Sequence, residues 1–248
     1  MRYFFEIRYK GTHYHGWQSQ ANAVGIQQMV EEVLSKLLRE QISIVGSGRT
    51  DTGVHCAQQF FHTDIKKDFD QNQLIQRLNS FLDKDIAIRS IRPVKSDASA
   101  RYSAIERTYE YRITRVKDPF SNGFAWFVHK PIDVSTLQRA SALLIGTHDF
   151  QCFSKVKTDV NHFVCRVRKA EWVEKGNFLV FTISANRFLR GMVRAIVGTL
   201  MDVGTGKISM DDLRYILKSK DRRKAGQNVP AEGLFLTQVR YPKQIFLT

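Results

Sequence analysis

The residues best suited to chemistry lie in the stretch "VGSGRTDTGVHC", from Val45 to Cys56. It contains three glycines, and Asp51 lies near its centre, two positions after Arg49. Glycine permits backbone conformations that let a chain approach a ligand closely. An aspartate is ionised at neutral pH and can attack a carbon atom without a general base, provided that a cation holds its orientation. This composition makes Asp51 a candidate nucleophile.

Three other roles for Asp51 compete with that interpretation. The stretch matches neither G-x-x-x-x-G-K-[ST] nor G-x-G-x-x-G, and a central acid would repel phosphate, so a nucleotide-binding loop is rejected. A metal site is disfavoured because no other carboxylates cluster nearby. A turn or cap residue held by Arg49 is the default for an isolated aspartate beside glycine. From this stretch alone, the structural and the catalytic roles both stay open.

A second candidate is the arginine-bearing segment "NRFLRGMVRAIVGTLM". Its apolar stripe predicts a helix over about 187–203, on which three arginines at i, i+3 and i+7 share a side. These are Arg187, Arg190 and Arg194. Gly191 and Gly198 fall on the same side, where small residues let another backbone or a ligand come close. The forked guanidinium donors suit phosphate or carboxylate, and a solvated basic face is the alternative.

The composition narrows the class of partner. The chain of 248 residues carries 38 basic and 24 acidic residues, a formal net charge of +14. Proteins this basic usually bind a polyanion, most often nucleic acid, although charge can also serve solubility alone. Three widely spaced cysteines argue against a disulfide framework and a zinc ribbon, and no metal site is predicted. Without a signal-peptide core or a membrane-length apolar run, the protein is predicted to be cytoplasmic.

Hydrophobic periodicity predicts an α+β fold. Helices are predicted at about 26–39, 72–82, 134–146, 187–203 and 210–220. Strands are predicted at 2–9, 42–48, 55–65, 86–94, 107–114, 165–175, 177–186 and 233–241. Both halves mix strands and helices in a similar order, which indicates two α/β subdomains, 1–104 and 105–248. Their sheets are predicted to be largely antiparallel, with helices covering one face.

The stretch around Asp51 resembles the G-x-G-R-T-D-x-G-V-H motif of the tRNA pseudouridine synthase A family. Six further segments, which cover nearly the whole chain, resemble the same family. They are "HGWQSQ", "NSFL", "ASARYSAIERTYEYRI", "GTHDFQCFS", "RFLRGMVRAIVG" and "RRKAGQNVPAEGLFL". Ordered segments in register are far more specific than any single motif.

The resemblance implies a role for each candidate residue. Asp51 is expected to be the nucleophile of an isomerase that converts uridine to pseudouridine, attacking either the ribose C1′ or the uracil C6. Tyr109 is expected to stack on the target uracil, and Arg194 to pair with Asp51. Arg49 is expected to contact RNA or to support its loop. The other two arginines, Arg187 and Arg190, are expected to bind substrate.

The resemblance also implies the biological setting. The family acts without a cofactor on uridines 38, 39 and 40 in the anticodon arm of tRNA, as a homodimer. The two α/β halves are expected to share one extended sheet, in the pseudouridine synthase fold. A paired uridine must leave the base stack before either carbon can be reached. Aromatic and basic residues help to offset the free-energy cost of this step. The absence of an appended RNA-binding module or leader mildly favours a bacterial-type tRNA enzyme.

Some residues depart from the family pattern or fall outside it. Thr52 and Cys56 stand where the family usually has alanine, and Gly191 replaces a common histidine; these changes leave the three predicted catalytic residues intact. "QNVPAEG" also departs a little from the family's usual run near the end. Cys56 is interpreted as a packing residue. His148 and Asp149 are interpreted as structural rather than as an acid–base pair.

Two competing functions remain in view. A non-catalytic RNA-binding protein on the same scaffold explains the charge but not the aspartate at the centre of the glycine-rich stretch. A pseudouridine synthase for other RNAs is the second alternative. The basic run at 218–224 either touches the phosphate backbone or is merely solvated.

Overall fold

The computed structural model describes residues 1–20, 22–156 and 160–247. In that part of the chain the strands are β1 (Arg2–Tyr9), β2 (Val45–Gly46), β3 (His55–Asp64), β4 (Ile86–Val94), β5 (Glu106–Thr114), β6 (Trp126–Phe127), β7 (Gly146–Asp149), β8 (Val164–Lys175), β9 (Phe178–Ala185) and β10 (Leu234–Arg240). The α-helices are α1 (Ile26–Leu38), α2 (Gln71–Phe81), α3 (Val134–Ala142), α4 (Met192–Gly204) and α5 (Met210–Ser219). The predicted mixed α/β class with largely antiparallel strands is confirmed.

The chain divides into two compact units. Unit 1 comprises Met1–Glu106 and Phe235–Thr248, and unit 2 comprises Arg107–Leu234. The first division lies two residues from the predicted one at 104/105. The sequence assigned the last segment to the second half, whereas it packs with unit 1, where β10 pairs in parallel with β3. That pairing is between residues far apart in the chain, which local patterns do not reveal.

Unit 1 is built on the strand order β4-β1-β3-β10, with β2 paired to β3. β1 runs antiparallel to both β3 and β4. Phe4, Phe5 and Phe61 are fully buried, and the rings of Phe5 and Phe61 stack at 4.8 Å. The apolar residues of α1 recur at helical spacing and are buried, so the helix forms by covering this core.

Unit 2 has the strand order β5-β9-β8-β7, and these neighbours are antiparallel. The short β6 pairs in parallel with β5. α4 is buried along most of its length, which matches its continuous apolar sequence. The indole Nε1 of Trp172 donates to Ser141 Oγ at 2.9 Å, which fixes α3 against β8.

Two further sequence predictions need correction. The strand predicted at 42–48 is only Val45–Gly46; the amides of Ile42 and Ile44 donate to the side chains of Ser35 and Glu31 on α1 instead of to a neighbouring strand. The helix predicted from 187 begins at Met192, because Gly191 adopts the left-handed conformation with φ 72° and cannot continue a helix toward the N-terminus. No helix among the described residues is long and apolar enough to cross a membrane.

Candidate active site

Asp51 lies in unit 1, in the loop between β2 and β3. Its carbonyl oxygen accepts a hydrogen bond from the amide of Val54 at 3.2 Å, which closes a tight turn. Gly53 has φ 77° within that turn, a conformation that favours glycine. Asp51 is half-buried, whereas Arg49 and Thr52 are exposed. The turn holds the aspartate at the boundary between core and solvent.

The polar segment 11–17 supports this loop from the other side. The amide of Trp17 donates to the carbonyl of Thr50 at 3.3 Å, and the amide of Gly53 donates to the carbonyl of Tyr14 at 3.3 Å. Gly16 has φ 87°, and a Cβ there would lie 2.3 Å from the Thr50 carbonyl oxygen. The two loops therefore interlock backbone against backbone directly beside Asp51.

Polar side chains fix the loop from β1 and β3. The hydroxyl of Tyr9 lies 2.8 Å from Thr50 Oγ1 and donates to Gln59 Oε1 at 3.1 Å. Gln59 Nε2 donates in turn to the carbonyl of Gly48 at 3.2 Å. Buried hydrogen bonds of this kind are costly to break. Gly48 and Thr50, the residues on either side of Arg49, are thus tied to the sheet.

Cys56 follows the loop at the start of β3 and is buried. Its Sγ lies 4.0 Å from the carbonyl oxygen of Ile7. Burial raises the pKa of the Cys56 thiol well above its usual range, so the thiolate does not form near neutral pH. These contacts agree with the predicted packing role.

Tyr109 lies in unit 2 on β5, opposite Ile183 of β9. Its half-buried ring meets the ring of Phe188 edge to face, with centroids 5.1 Å apart and an interplanar angle of 86°. Such pairs contribute about 0.5–1.5 kcal/mol beyond burial. The contact with Phe188 therefore favours one orientation of the Tyr109 ring.

Arg194 lies in the first turn of α4, in the same unit. Its Nε donates to the carbonyl of Val229 at 2.7 Å. The buried hydroxyl of Tyr111 donates to the carbonyl of Pro230 at 2.9 Å. Burial raises the pKa of that hydroxyl, and the positive charge of Arg194 opposes the shift. Segment 229–230 therefore connects the arginine with the strand that carries Tyr109.

The same segment is held against α4 by small residues. A Cβ on Gly198 would lie 1.9 Å from the carbonyl oxygen of Gln227. The amide of Gly226 donates to Thr199 Oγ1 at 2.8 Å. The expectation that small residues beside the arginines admit another backbone is confirmed at Gly198.

The predicted row of three arginines on one helix face is wrong. Arg187 and Arg190 precede α4, separated from it by the left-handed Gly191, so neither lies on the helix that carries Arg194. Arg187 Nη1 lies 3.2 Å from His162 Nε2. Arg190 is exposed, and its carbonyl accepts from the amide of Lys155 at 2.9 Å.

Other predicted residues make internal contacts. His148 and Asp149 both lie on β7, and His148 Nε2 is 2.9 Å from the carbonyl of Ile145. The carboxylate of Asp149 accepts from the amide of Gln151 at 2.9 Å and pairs with Lys220 Nζ at 3.1 Å. Lys220 of the basic run is thereby tied to the fold, as is Arg222, whose Nη2 donates to Asn228 Oδ1 at 3.0 Å.

The structure thus places Asp51 and Arg49 in unit 1, and the other four predicted site residues in unit 2. The pairing of Asp51 with Arg194 stays a prediction. Sequence reasoning missed the residues that support these candidates. Gly16, Phe188 and Val229 lie in segments that resemble the family but were not predicted to hold the site, and Gln59 lies outside those segments.

Comparison with known proteins gives the affiliation of the chain. A family model described as tRNA pseudouridine synthase matches residues 7–103 and 140–242. The chain belongs to this family. The segments that match the pseudouridine synthase model include Asp51 and Arg194, whereas Tyr109 lies between them.

Curated relatives in this family match nearly the full chain. Proteins named tRNA pseudouridine synthase A from Porphyromonas gingivalis and Bacteroides fragilis are 46% and 44% identical to it. Each alignment covers 99% of this chain, and 99% and 98% of the respective relative. The relative from Exiguobacterium sibiricum is 36% identical over 98% of this chain and 97% of its own.

Proposed function

We propose that this protein is a tRNA pseudouridine synthase, an isomerase that converts uridine to pseudouridine at positions 38, 39 and 40 of the anticodon arm. The observation that carries the proposal is the braced loop that presents Asp51, in a chain that is similar to tRNA pseudouridine synthases A along its whole length. The enzyme acts in the cytoplasm as a homodimer and uses no cofactor.

The isomerisation is balanced without any oxidant or reductant. The bond between uracil N1 and ribose C1′ breaks, and a bond between C5 and C1′ forms. The proton on C5 is lost, and N1 gains a proton. Asp51 attacks C1′ or C6 and leaves at the end, so the aspartate is regenerated. An ionised carboxylate suffices as the nucleophile because it needs no general base.

The remaining candidates prepare the substrate and the nucleophile. The target uridine leaves the base stack, which costs a few kcal/mol. Tyr109 stacks on the extruded uracil, and its contact with Phe188 presents the ring in one orientation. Arg194 pairs with Asp51 through its guanidinium, and its Nε is bonded to the Val229 carbonyl. Arg49, Arg187 and Arg190 bind the RNA backbone.

Tritium release tests the proposal directly. Unmodified tRNA labelled with tritium at uracil C5 releases the label when C5 forms its new bond. The wild-type protein is expected to release tritium, and Asp51→Asn and Asp51→Ala are expected to release none while still binding tRNA. Asp211→Asn, at an exposed position of α5, is the matched control and is expected to behave as wild type.

Substrate choice is tested with tRNA transcripts that retain uridine at only one of positions 38, 39 and 40. Release from each of the three, and none from ribosomal RNA fragments, is expected. If the wild type binds tRNA but releases no tritium from any RNA, the protein is a binder and the proposal fails.

Light scattering tests the proposed homodimer. A mass of twice 28.7 kDa is expected.

A further inference from the structure

An aromatic residue outside the predicted site projects into solvent from unit 1. Tyr102 is 80% exposed, in the turn between β4 and β5. The guanidinium carbon of Arg101 lies 5.3 Å from its ring centroid, within cation–π distance. Neither residue has a part in the chemistry proposed above.

The turn that carries Tyr102 is closed by its own serines. The amide of Ser103 donates to the carbonyl of Ser99 at 2.9 Å, and the amide of Ser99 donates to Ser103 Oγ at 3.0 Å. The amide of Tyr102 itself donates to Ser99 Oγ at 3.4 Å. These bonds restrict the backbone on both sides of the exposed ring.

Three side chains from elsewhere in unit 1 anchor the same turn. His62 Nδ1 accepts from the amide of Ala100 at 3.1 Å, and the hydroxyl of Tyr241 donates to the Ala100 carbonyl at 2.6 Å. Arg2 Nη1 donates to the carbonyl of Ala98 at 3.0 Å. Ala98 and Ala100 are buried. The turn is therefore fixed before any partner arrives, which reduces the entropy lost on binding.

The chemistry of this surface suits an RNA. The charged residues from 92 to 101 are three basic and one acidic: Arg92, Lys95, Arg101 and Asp97. Arg92 lies over the ring of Phe246 at 4.9 Å, a second pairing of arginine and aromatic in this unit. Aromatic rings beside basic groups bind unpaired bases by stacking while the cations contact phosphate. The net charge of +14 favours the same polyanion.

The separation between the Asp51 loop and the Tyr102 turn determines how large an RNA must be to contact both. The Asp51 loop enters β3 at His55, and the anchor His62 lies seven residues further along that strand. Seven residues of extended strand span roughly 23 Å. One nucleotide cannot cover that distance, but one tRNA molecule can.

We infer that Arg101 and Tyr102 form a second tRNA contact, in which Tyr102 stacks on an unpaired base and Arg101 binds an adjacent phosphate. The inference rests on the proposed function. It adds a binding site away from the reacting uridine, and it predicts effects on binding and none on the chemical step.

Two readouts separate the roles of the two residues. Tyr102→Ala is expected to weaken tRNA binding about 5- to 100-fold at any salt concentration, because base–aromatic stacking is lost. Tyr102→Phe keeps the ring and is expected to bind as wild type. Arg101→Gln is expected to lower the slope of log Kd against log salt by about one, because one phosphate contact is lost. Single-turnover rates at saturating tRNA are expected to be unchanged.

A matched control excludes a general effect of removing surface aromatics. Phe81, at the end of α2 in the same unit, is 67% exposed, and Phe81→Ala is expected to leave tRNA binding unchanged. The inference is overturned if Tyr102→Ala binds tRNA as wild type, or if Phe81→Ala is impaired equally. It is also overturned if Tyr102→Ala changes only the oligomeric state in light scattering.

Failure of this inference is distinguishable from failure of the proposed function. If wild type releases tritium, Asp51→Ala does not, and Tyr102→Ala binds normally, the synthase stands and the second contact falls. If wild type releases none while Tyr102→Ala loses binding, the contact serves an RNA binder instead, and the proposed function falls.

Discussion

Arg194 and Val229 are joined by two hydrogen bonds. Arg194 Nε donates to the carbonyl of Val229 at 2.7 Å, and the amide of Val229 donates to the carbonyl of Arg194 at 3.3 Å. The side chain and the backbone of the arginine are thus held by one residue of the 226–230 segment. A guanidinium can make this bond with Nε and still present two nitrogens to a carboxylate.

Lysine cannot make both contacts because its ammonium is a single point charge. We expect Arg194→Lys to lower the single-turnover rate about 100-fold or more and to change tRNA affinity little. Arg214→Lys on α5, where the arginine pairs with Asp211 at the surface, is the control and should be as active as wild type. A rate for Arg194→Lys above half that of wild type would show that Arg194 does not orient the nucleophile.

Two glycines of α4 are predicted to respond differently to alanine. A Cβ on Gly198 meets the backbone oxygen of Gln227 at 1.9 Å, whereas a Cβ on Gly204 meets the side-chain carbon Cδ2 of Leu137 at 2.6 Å. Backbone cannot move aside without shifting the segment that holds Arg194. We expect Gly198→Ala to lower the free energy of unfolding by about 1–3 kcal/mol and to reduce activity.

Gly204→Ala should also lower the free energy of unfolding, because Cγ of the buried Leu137 lies 2.7 Å from the Cβ position. It should keep activity closer to that of wild type, because it does not touch the segment that holds Arg194. Urea unfolding and tritium release of both variants give the comparison, and an equal loss of activity would mean that the 226–230 segment does not position Arg194.

The sequence predicts elements well where local periodicity is enough. The helix at Ile26–Leu38 and the strand at Ile86–Val94 follow from apolar spacing alone, and both are confirmed. Periodicity failed at Gly191. The apolar stripe continues across this residue, but its left-handed backbone prevents α4 from extending further toward the N-terminus. It also gave no sign that 235–248 returns to unit 1, since strand pairing depends on partners distant in the chain.

The candidate site shows the same difference between features that are local in sequence and contacts that form only in the fold. Asp51 is conspicuous in sequence because an acid among glycines is a local feature. The residues that hold its loop are ordinary in sequence and acquire their role only in the fold, as Gln59 does when it bonds to the Gly48 carbonyl. Bonds between residues far apart in sequence have no local signature, so motif reasoning finds the reacting group before its supports.

The glycines around Asp51 provide a third prediction. Gly16 has φ 87° and leaves no room for a Cβ beside the Thr50 carbonyl, whereas Gly48 has no atom within 4 Å of a Cβ position and no positive φ. Gly16→Ala pays about 1–2 kcal/mol for the left-handed conformation, in addition to displacing the loop. We expect it to lower both the melting temperature and the single-turnover rate. Gly48→Ala should melt as wild type does; a melting temperature lowered as far as that of Gly16→Ala would contradict the loop geometry.

His62 makes the stability of unit 1 dependent on pH. Burial lowers the pKa of its imidazole below the usual value, and the positive charge of Arg2 acts in the same direction. The pKa of His62 is therefore lower in the folded protein than in the unfolded chain, where it is near 6.5. The stability that neutral His62 contributes is complete above pH 6.5 and is lost as the pH falls through the folded pKa. Protonation at Nδ1 also removes the acceptor for the Ala100 amide.

His62→Asn keeps an acceptor near the Nδ1 position but does not titrate. We expect the melting temperature of the wild type to fall further than that of His62→Asn between pH 7.5 and pH 5. Above pH 7.5 the two plots of melting temperature against pH should be parallel. His129→Asn, at an exposed histidine, should follow the wild-type curve and serves as the control. Parallel curves for wild type and His62→Asn down to pH 5 would show that the anchor of the Tyr102 turn is indifferent to protonation. The dissociation constant for tRNA is measured at the same pH values. A steeper fall in the wild-type melting temperature together with weaker tRNA binding would show that acid loosens this turn before the rest of the unit unfolds.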